Sequence, residues 1–144
     1  SGKVTWVAKN ELLANIEWAD SWKVLIPRAS DGNENYPLPI WDKRGPFVSS
    51  PGEACTETYL IGSLVANEKE AKHLRKFMQT KFFRFLVSLR KITQDNKADI
   101  FKFVPDLPLD IVWDDSILYE RYQIDSSEIE FIDSMIRTME WPDD

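Results

Sequence analysis

The sequence predicts a mixed α/β (α+β) domain with one sheet, a long basic amphipathic helix and further helices at the C-terminus. Three observations predict it. Trp22-Lys23-Val24-Leu25-Ile26 is a compact apolar run stopped by Pro27. Apolar residues from Ala71 to Leu89 recur at steps of three and four. After Asp114 the same spacing returns in two shorter groups. At 144 residues and 43% hydrophobic, residues 1–144 make one ordinary domain with enough apolar side chains for a core. Ser1-Gly2 in place of a Met reads as a cloning remnant on a piece of a larger protein.

Taken in order, residues 11–16 read as a short helix or turn, because Leu12, Leu13 and Ile16 are irregularly spaced. Trp22–Ile26 is a strand, ended by the missing N–H of Pro27. Residues 28–53 hold seven Gly and Pro and no helical period, so they are loop, or short strands joined by loops, pinned to the core by Tyr36, Trp41 and Phe47. A loop of that length in a small domain is often functional. Thr56-Glu57-Thr58-Tyr59-Leu60-Ile61 is a strand of β-formers ending at Gly62. Asn67 caps a helix with Glu68 and Glu70 in its first turn, where carboxylates suit the helix dipole. Its buried stripe is Ala71, Leu74, Met78, Phe82, Phe85, Leu86 and Leu89. Run from Glu68 to Ile92, the helix would be roughly 37 Å long at ~1.5 Å per residue. Asp99–Val104 alternates up to Pro105 and reads as a strand. Asp114 or Asp115 caps a helix through Ile117, Leu118 and Tyr122, and Ser126 or Ser127 caps the last one, through Ile129, Ile132, Met135 and Ile136.

Charge is unevenly distributed. The net charge of −6 divides into +4 over residues 1–105 and −10 over residues 106–144, and nine of the 18 basic residues lie between Lys69 and Lys97. A single Cys and a single His exclude a disulfide framework and a multi-histidine metal centre within the chain. No apolar run approaches the ~18 residues of a membrane helix, and no secretory leader opens the sequence, so a cytoplasmic location without membrane contact is expected.

Catalysis has little behind it. The glycines are too widely spaced for a phosphate loop, and there is no Gly-x-Ser-x-Gly elbow. Cys55 beside a strand reads as a small buried residue and His73 as a helix-surface residue rather than a nucleophile pair. Asp106, Asp110, Asp114, Asp115 and Glu120 could converge on Mg²⁺ in a nuclease site, but no Lys occurs after Lys102 to complete one. Duplex DNA binding has more support, since it draws on Lys and Arg for phosphates and on a few polar side chains for base edges. Lys72, Lys76, Lys81 and Arg84 on the basic helix are the phosphate candidates. Arg90, Lys91 and Gln94 follow at its far end, and the loop offers Arg28, Asn33, Asn35, Lys43 and Arg44.

Several segments then align in order. They are Cys55-Thr56-Glu57-Thr58-Tyr59-Leu60, Glu70-Ala71, Thr80-Lys81-Phe82-Phe83-Arg84-Phe85-Leu86, Arg90-Lys91-Ile92-Thr93-Gln94, Phe103-Val104-Pro105-Asp106, Trp113-Asp114-Asp115, Leu118-Tyr119, Tyr122 and Ile129-Glu130-Phe131-Ile132. Over residues 22–140 this resembles the C-terminal target-recognition (specificity) region of Eco57I-like and TaqI-like restriction–modification proteins, which have an adenine-N6 DNA methyltransferase core. The resemblance implies a sequence-specific double-stranded DNA recognition module. The methyltransferase and nuclease domains, with S-adenosylmethionine and Mg, would lie elsewhere in a type II parent enzyme. The family's Asn/Asp-Pro-Pro-Tyr motif is absent from these residues, so no catalytic, cofactor or metal residue is expected in this segment. Phe82, Phe85 and Leu86 would be scaffold, and the base readers would fall in the unmatched residues 28–50. Two other readings remain: a protein–protein docking module of the same parent, and a metal-dependent nuclease domain around Asp106.

Overall fold

The computed structural model describes residues 4–30, 35–91 and 95–141. Three strands, β1 (Trp22–Pro27), β2 (Phe47–Ser49) and β3 (Tyr59–Val65), form an antiparallel sheet in the order β2-β1-β3. Four helices follow: α1 (Glu68–Gln79), α2 (Lys81–Ser88), α3 (Asp115–Arg121) and α4 (Ser126–Met135). This is the α+β class the sequence predicts. None of the helices among the described residues is long and apolar enough to cross a membrane.

The strand expected at residues 22–26 is the sheet centre. β1 faces β2 through Lys23–Ser49 to Leu25–Phe47, and β3 from Trp22–Val65 to Pro27–Tyr59, with a register shift between Val24 and Leu25. Val24, Leu25 and Ile26 are all buried, so both faces of β1 are covered and its residues read as a continuous apolar run rather than an alternating one. Lys23 is buried among them. Its ammonium donates to the carbonyls of Ser21 at 3.0 Å and Ser50 at 3.3 Å, and burial lowers its pKa. β3 starts later than expected and runs through Gly62 to Val65. A Cβ at Gly62 would stand 3.1 Å from Met78 Cε and 3.2 Å from Ile26 Cγ2, so the glycine allows α1 to pack close to the sheet.

The expected single helix from Glu68 to Ile92 is two helices. Thr80 is extended (φ −62°, ψ 152°) and serves both. Its Oγ1 donates to Phe77 O at 2.7 Å and accepts from Phe83 N at 3.1 Å. Asp115 reinforces the second start, accepting from Lys81 N at 3.0 Å and Phe82 N at 2.8 Å. The turn at Thr80 rotates the buried face, so Phe77, Phe83 and Val87 join Ala71, Met78 and Phe82 in the core, while Leu89 ends 53% exposed.

The strand expected at Asp99–Val104 is a 3₁₀ turn, Ala98–Phe101. The turn packs against α2 and takes no place in the β2-β1-β3 sheet. Ile100 is buried instead, and Phe101 stacks on Trp41 with ring centroids 6.4 Å apart. The N-terminal turn is likewise two 3₁₀ turns, Lys9–Glu11 and Ile16–Trp18.

The Pro/Gly-rich loop is tied down by two of its three aromatic residues. Trp41 is fully buried and donates Nε1–H to Met78 O at 2.8 Å; Phe47 meets Tyr59 edge-on at 5.1 Å; Tyr36 is 61% exposed. The loop also meets the C-terminus. Leu38 and Ile136 form a parallel bridge, and the Trp141 ring lies so close to Gly45 (φ +57°) that a Cβ there would be 2.2 Å from it. Asp114 caps α3 as expected, accepting from Ile117 N at 2.9 Å. α4 is capped by Asp125, one residue before Ser126, in a reciprocal pair with Glu128: Asp125 Oδ1 accepts from Glu128 N and Glu128 Oε2 from Asp125 N, each at 2.9 Å. These bonds to its carboxylate hold the Asp125 pKa below its ordinary value.

Candidate nucleic-acid interface

The basic helix face is not the surface the sequence predicts. Lys72 pairs with Glu68 one turn earlier at 2.7 Å. Lys81 is half-buried and pairs at 2.5 Å with Asp133, in the acidic C-terminal region. Arg84 is 2% exposed. Its Nε donates to the carbonyls of Gln79 at 3.1 Å and Thr80 at 3.2 Å, and its Nη1 to Arg137 O at 2.6 Å. Burial brings its pKa down to about 10, which leaves it a cation at neutral pH. Arg84 is thus a structural side chain that binds the α1–α2 junction to the C-terminal segment, which corrects its reading as a phosphate contact. Only Lys76 of the four is an exposed cation with no ion pair among the described residues.

A second group of cations converges at one end of the sheet. Ala29 and Asp95 form an antiparallel bridge, so the residues after β1 and the residues after α2 run side by side. Asn96 fastens this junction. It is buried, its Nδ2 donates to Pro27 O at 2.7 Å, and its backbone N–H donates to Arg28 O at 2.8 Å. The Lys91 ammonium donates to Asn96 Oδ1. Burial lowers the Lys91 pKa to about 8. Around it stand exposed Arg28, whose Nη1 reaches Glu57 O at 3.4 Å, and Lys97, 74% exposed with Asp95 at 3.9 Å. Arg90 lies over the Phe103 ring at 5.4 Å and 3.9 Å from Asp99.

The turn at residues 42–45 adjoins the same sheet end. Asp42 is buried and accepts from Arg44 Nε at 2.7 Å and from Arg44 N at 2.8 Å, which raises the Arg44 pKa. The guanidinium lies over Tyr59 at 5.6 Å, and Tyr59 faces Pro27 across the sheet. Lys43 beside it is exposed, as is Asn35. Asn33 and Gln94 fall outside the described residues. Of the predicted set, Arg28, Arg44 and Lys91 are therefore joined through Tyr59, Pro27 and Asn96, while Arg90 is held by Phe103 and Asp99. Lys72, Lys76, Lys81 and Arg84 belong to another part of the molecule.

Lys97 and Asn96 were missed by the sequence reading. Asn96 has a local signal, an Asn next to a run of polar residues after a helix, but its bond to Pro27 O spans 69 residues and has no signature in the sequence. Cys55 and His73 do not meet as a pair. Cys55 is exposed, with its Sγ 3.9 Å from Tyr59 O, whereas His73 is half-buried, with its Nδ1 2.7 Å from Leu109 O. Both positions differ from the buried Cys and surface His expected. Among the described residues no three His, Cys, Asp or Glu side chains form a group able to hold a metal ion. Asp114 and Asp115 are both engaged as helix caps. Comparisons with protein-family models, with curated proteins and with solved structures find no match for this chain.

Proposed function

We propose that this chain recognises a specific sequence of double-stranded DNA, as the target-recognition module of a bacterial type II restriction–modification enzyme acting in the cytoplasm. Methylation of adenine and cleavage would be carried by methyltransferase and nuclease domains of the parent, which would hold S-adenosylmethionine and Mg, and the segment itself would be non-catalytic. The observation that supports the reading is the gathering of Arg28, Lys91 and Lys97 at the Ala29–Asp95 bridge. Exposed Arg28 and Lys97 can attract phosphates, and the adjoining loop supplies exposed Lys43 and Arg44. Docking shifts from the helix face, where Lys72 and Lys81 are paired and Arg84 is buried, to the sheet end. The ordered series of family-like segments supplies the duplex and the parent enzyme.

The test is salt-dependent binding of a randomised duplex pool to the chain, followed by sequencing of the retained fraction. Enrichment of one short sequence, lost in Arg28→Glu with Lys97→Glu, is the expected result. Retention without enrichment, unaffected by that variant, would discard the reading.

One observation favours the docking-module reading. Val4, Trp6, Val7 and Leu13 are between 57% and 103% exposed, an apolar N-terminal arm outside the core. Such an arm fits a surface of another domain of the same parent. Replacing Trp6 and Leu13 with Ser would leave DNA binding unchanged on the recognition reading and weaken association with the parent's other domains on this one.

A further inference from the structure

A groove of about 320 Å³ lies between α2 and α4, walled by Phe85, Ile124, Phe131 and Ile132, with exposed Ser127 and Glu128 at its rim. Phe85 and Phe131 meet edge-on at 6.0 Å, yet Phe131 stays 55% exposed. The same chain carries an apolar segment that covers nothing. Trp6 is 95% exposed, and Val4, Val7 and Leu13 on either side of it in the sequence also stand in solvent. Residues 4–7 are neither helix nor strand and share in no backbone hydrogen bond among the described residues. Lys9 is tied to Asp20, which roots the arm near the start of β1. There Trp22 faces Val65, just before α1, whereas the groove belongs to α2, which follows the far end of α1. Within one chain the arm does not cover the groove.

We propose that two copies of this chain pair by exchanging these arms, the Trp6 indole of each entering the α2–α4 groove of the other. Trp suits such an anchor, with a large apolar body and one N–H that needs an acceptor. Glu128 brings that acceptor: its Oε2 takes the Asp125 N–H, and its other oxygen accepts no hydrogen bond among the described residues. Charge agrees. Residues 3–9 hold two lysines and no carboxylate, and residues 125–136 hold four carboxylates and no cation. Lys9 and Asp133 already have partners in Asp20 and Lys81, so the match is one of overall sign. Area favours a reciprocal pair. Covering one Trp and three aliphatic side chains removes roughly 500 Å² per arm, at ~200 Å² for the aromatic and ~100 Å² for each aliphatic residue. With the surface each arm covers, two exchanged arms would hide roughly 2,000 Å² in all, the size of a specific interface, whereas one arm would hide about half, below the usual range. Exchange about a two-fold axis also closes the assembly at two copies. Neither surface includes a sheet-end cation, so the pairing stands whether or not the chain binds DNA.

Sedimentation equilibrium of the chain over a wide concentration range should show a monomer–dimer transition. Trp6→Ala and Phe131→Asp should each weaken it by about thirtyfold or more, the loss expected of a buried anchor. Both side chains are largely exposed in the single chain, so each variant should unfold close to the parent's midpoint. Mixing the two variants should recover a weaker heterodimer, since the Phe131 variant keeps its arm and the Trp6 variant keeps its groove. A chain that is monomeric at every concentration would overturn arm exchange, whether Trp6 stays in solvent or folds onto its own groove. So would a dimer indifferent to either substitution, or a mixture that associates no better than its separate components.

Discussion

The α1–α2 junction and the β1–β3 end of the sheet hold similar numbers of basic residues, but the fold uses them differently. At the helix junction Arg84 is buried against three backbone carbonyls, and Lys72 and Lys81 are neutralised by Glu68 and Asp133. At the sheet end Arg28 and Lys97 face solvent, and their nearest polar partners stand at 3.4 and 3.9 Å. Density of positive charge along a sequence is therefore a poor guide to surface potential. A guanidinium can satisfy carbonyls that a broken helix leaves unpaired, and that structural use removes it from any docking face.

The largest effect expected from breaking this contrast is on the helix side. Arg84→Met should destabilise the fold by about 3 kcal/mol, because it removes the guanidinium donors from the carbonyls of Gln79, Thr80 and Arg137, and urea titration would measure it. The same substitution should leave the charge of the sheet end untouched. Next comes the sheet end itself. Arg28→Glu with Lys97→Glu should weaken duplex binding by about tenfold or more and flatten its salt dependence by roughly two ions, as read by fluorescence anisotropy. Its unfolding midpoint should stay close to that of the parent chain, since both side chains are exposed. Thr80→Ala should cost about 1 kcal/mol by removing the side-chain cap of α2, with Asp115 limiting the loss.

The last effect is a pH dependence. Lys91 titrates at about 8 in the fold against 10.5 ordinarily, because burial disfavours the ammonium. Between those values the unfolded chain holds a proton that the folded chain has released, so stability rises with pH across that window. Below pH 8 the contribution is flat, because both states are protonated. Denaturation on either side of pH 8 should show the rise, reduced in Lys91→Met. Duplex affinity should move the other way, falling as Lys91 loses its charge, with Lys91→Arg holding it level.

Local chemistry was legible in the sequence and long-range partnership was not. Asn67, Asp114 and the apolar run of β1 announce themselves within a few residues, because a cap or a covered strand is decided by its immediate neighbours. Thr80 did not. The three-and-four spacing from Ala71 to Leu89 continues across it, and the break depends on Asp115, which lies 33 to 34 positions away from the amides it accepts from. Residues 99–104 alternate like a strand, but Ile100 is buried in the core and Phe101 stacks on Trp41, a partner far away in the sequence. Of the interface, Arg28 and Lys91 were identified one by one; their meeting depends on Asn96 and the Ala29–Asp95 bridge.

The long loop is fastened at two points, by Ala29 to Asp95 near its start and by Leu38 to Ile136 further on. At the second point Leu38 N donates to Met135 O at 2.7 Å and Leu38 O accepts from Arg137 N at 2.9 Å, so the loop and the end of α4 share one set of backbone bonds and a shift in either is passed to the other.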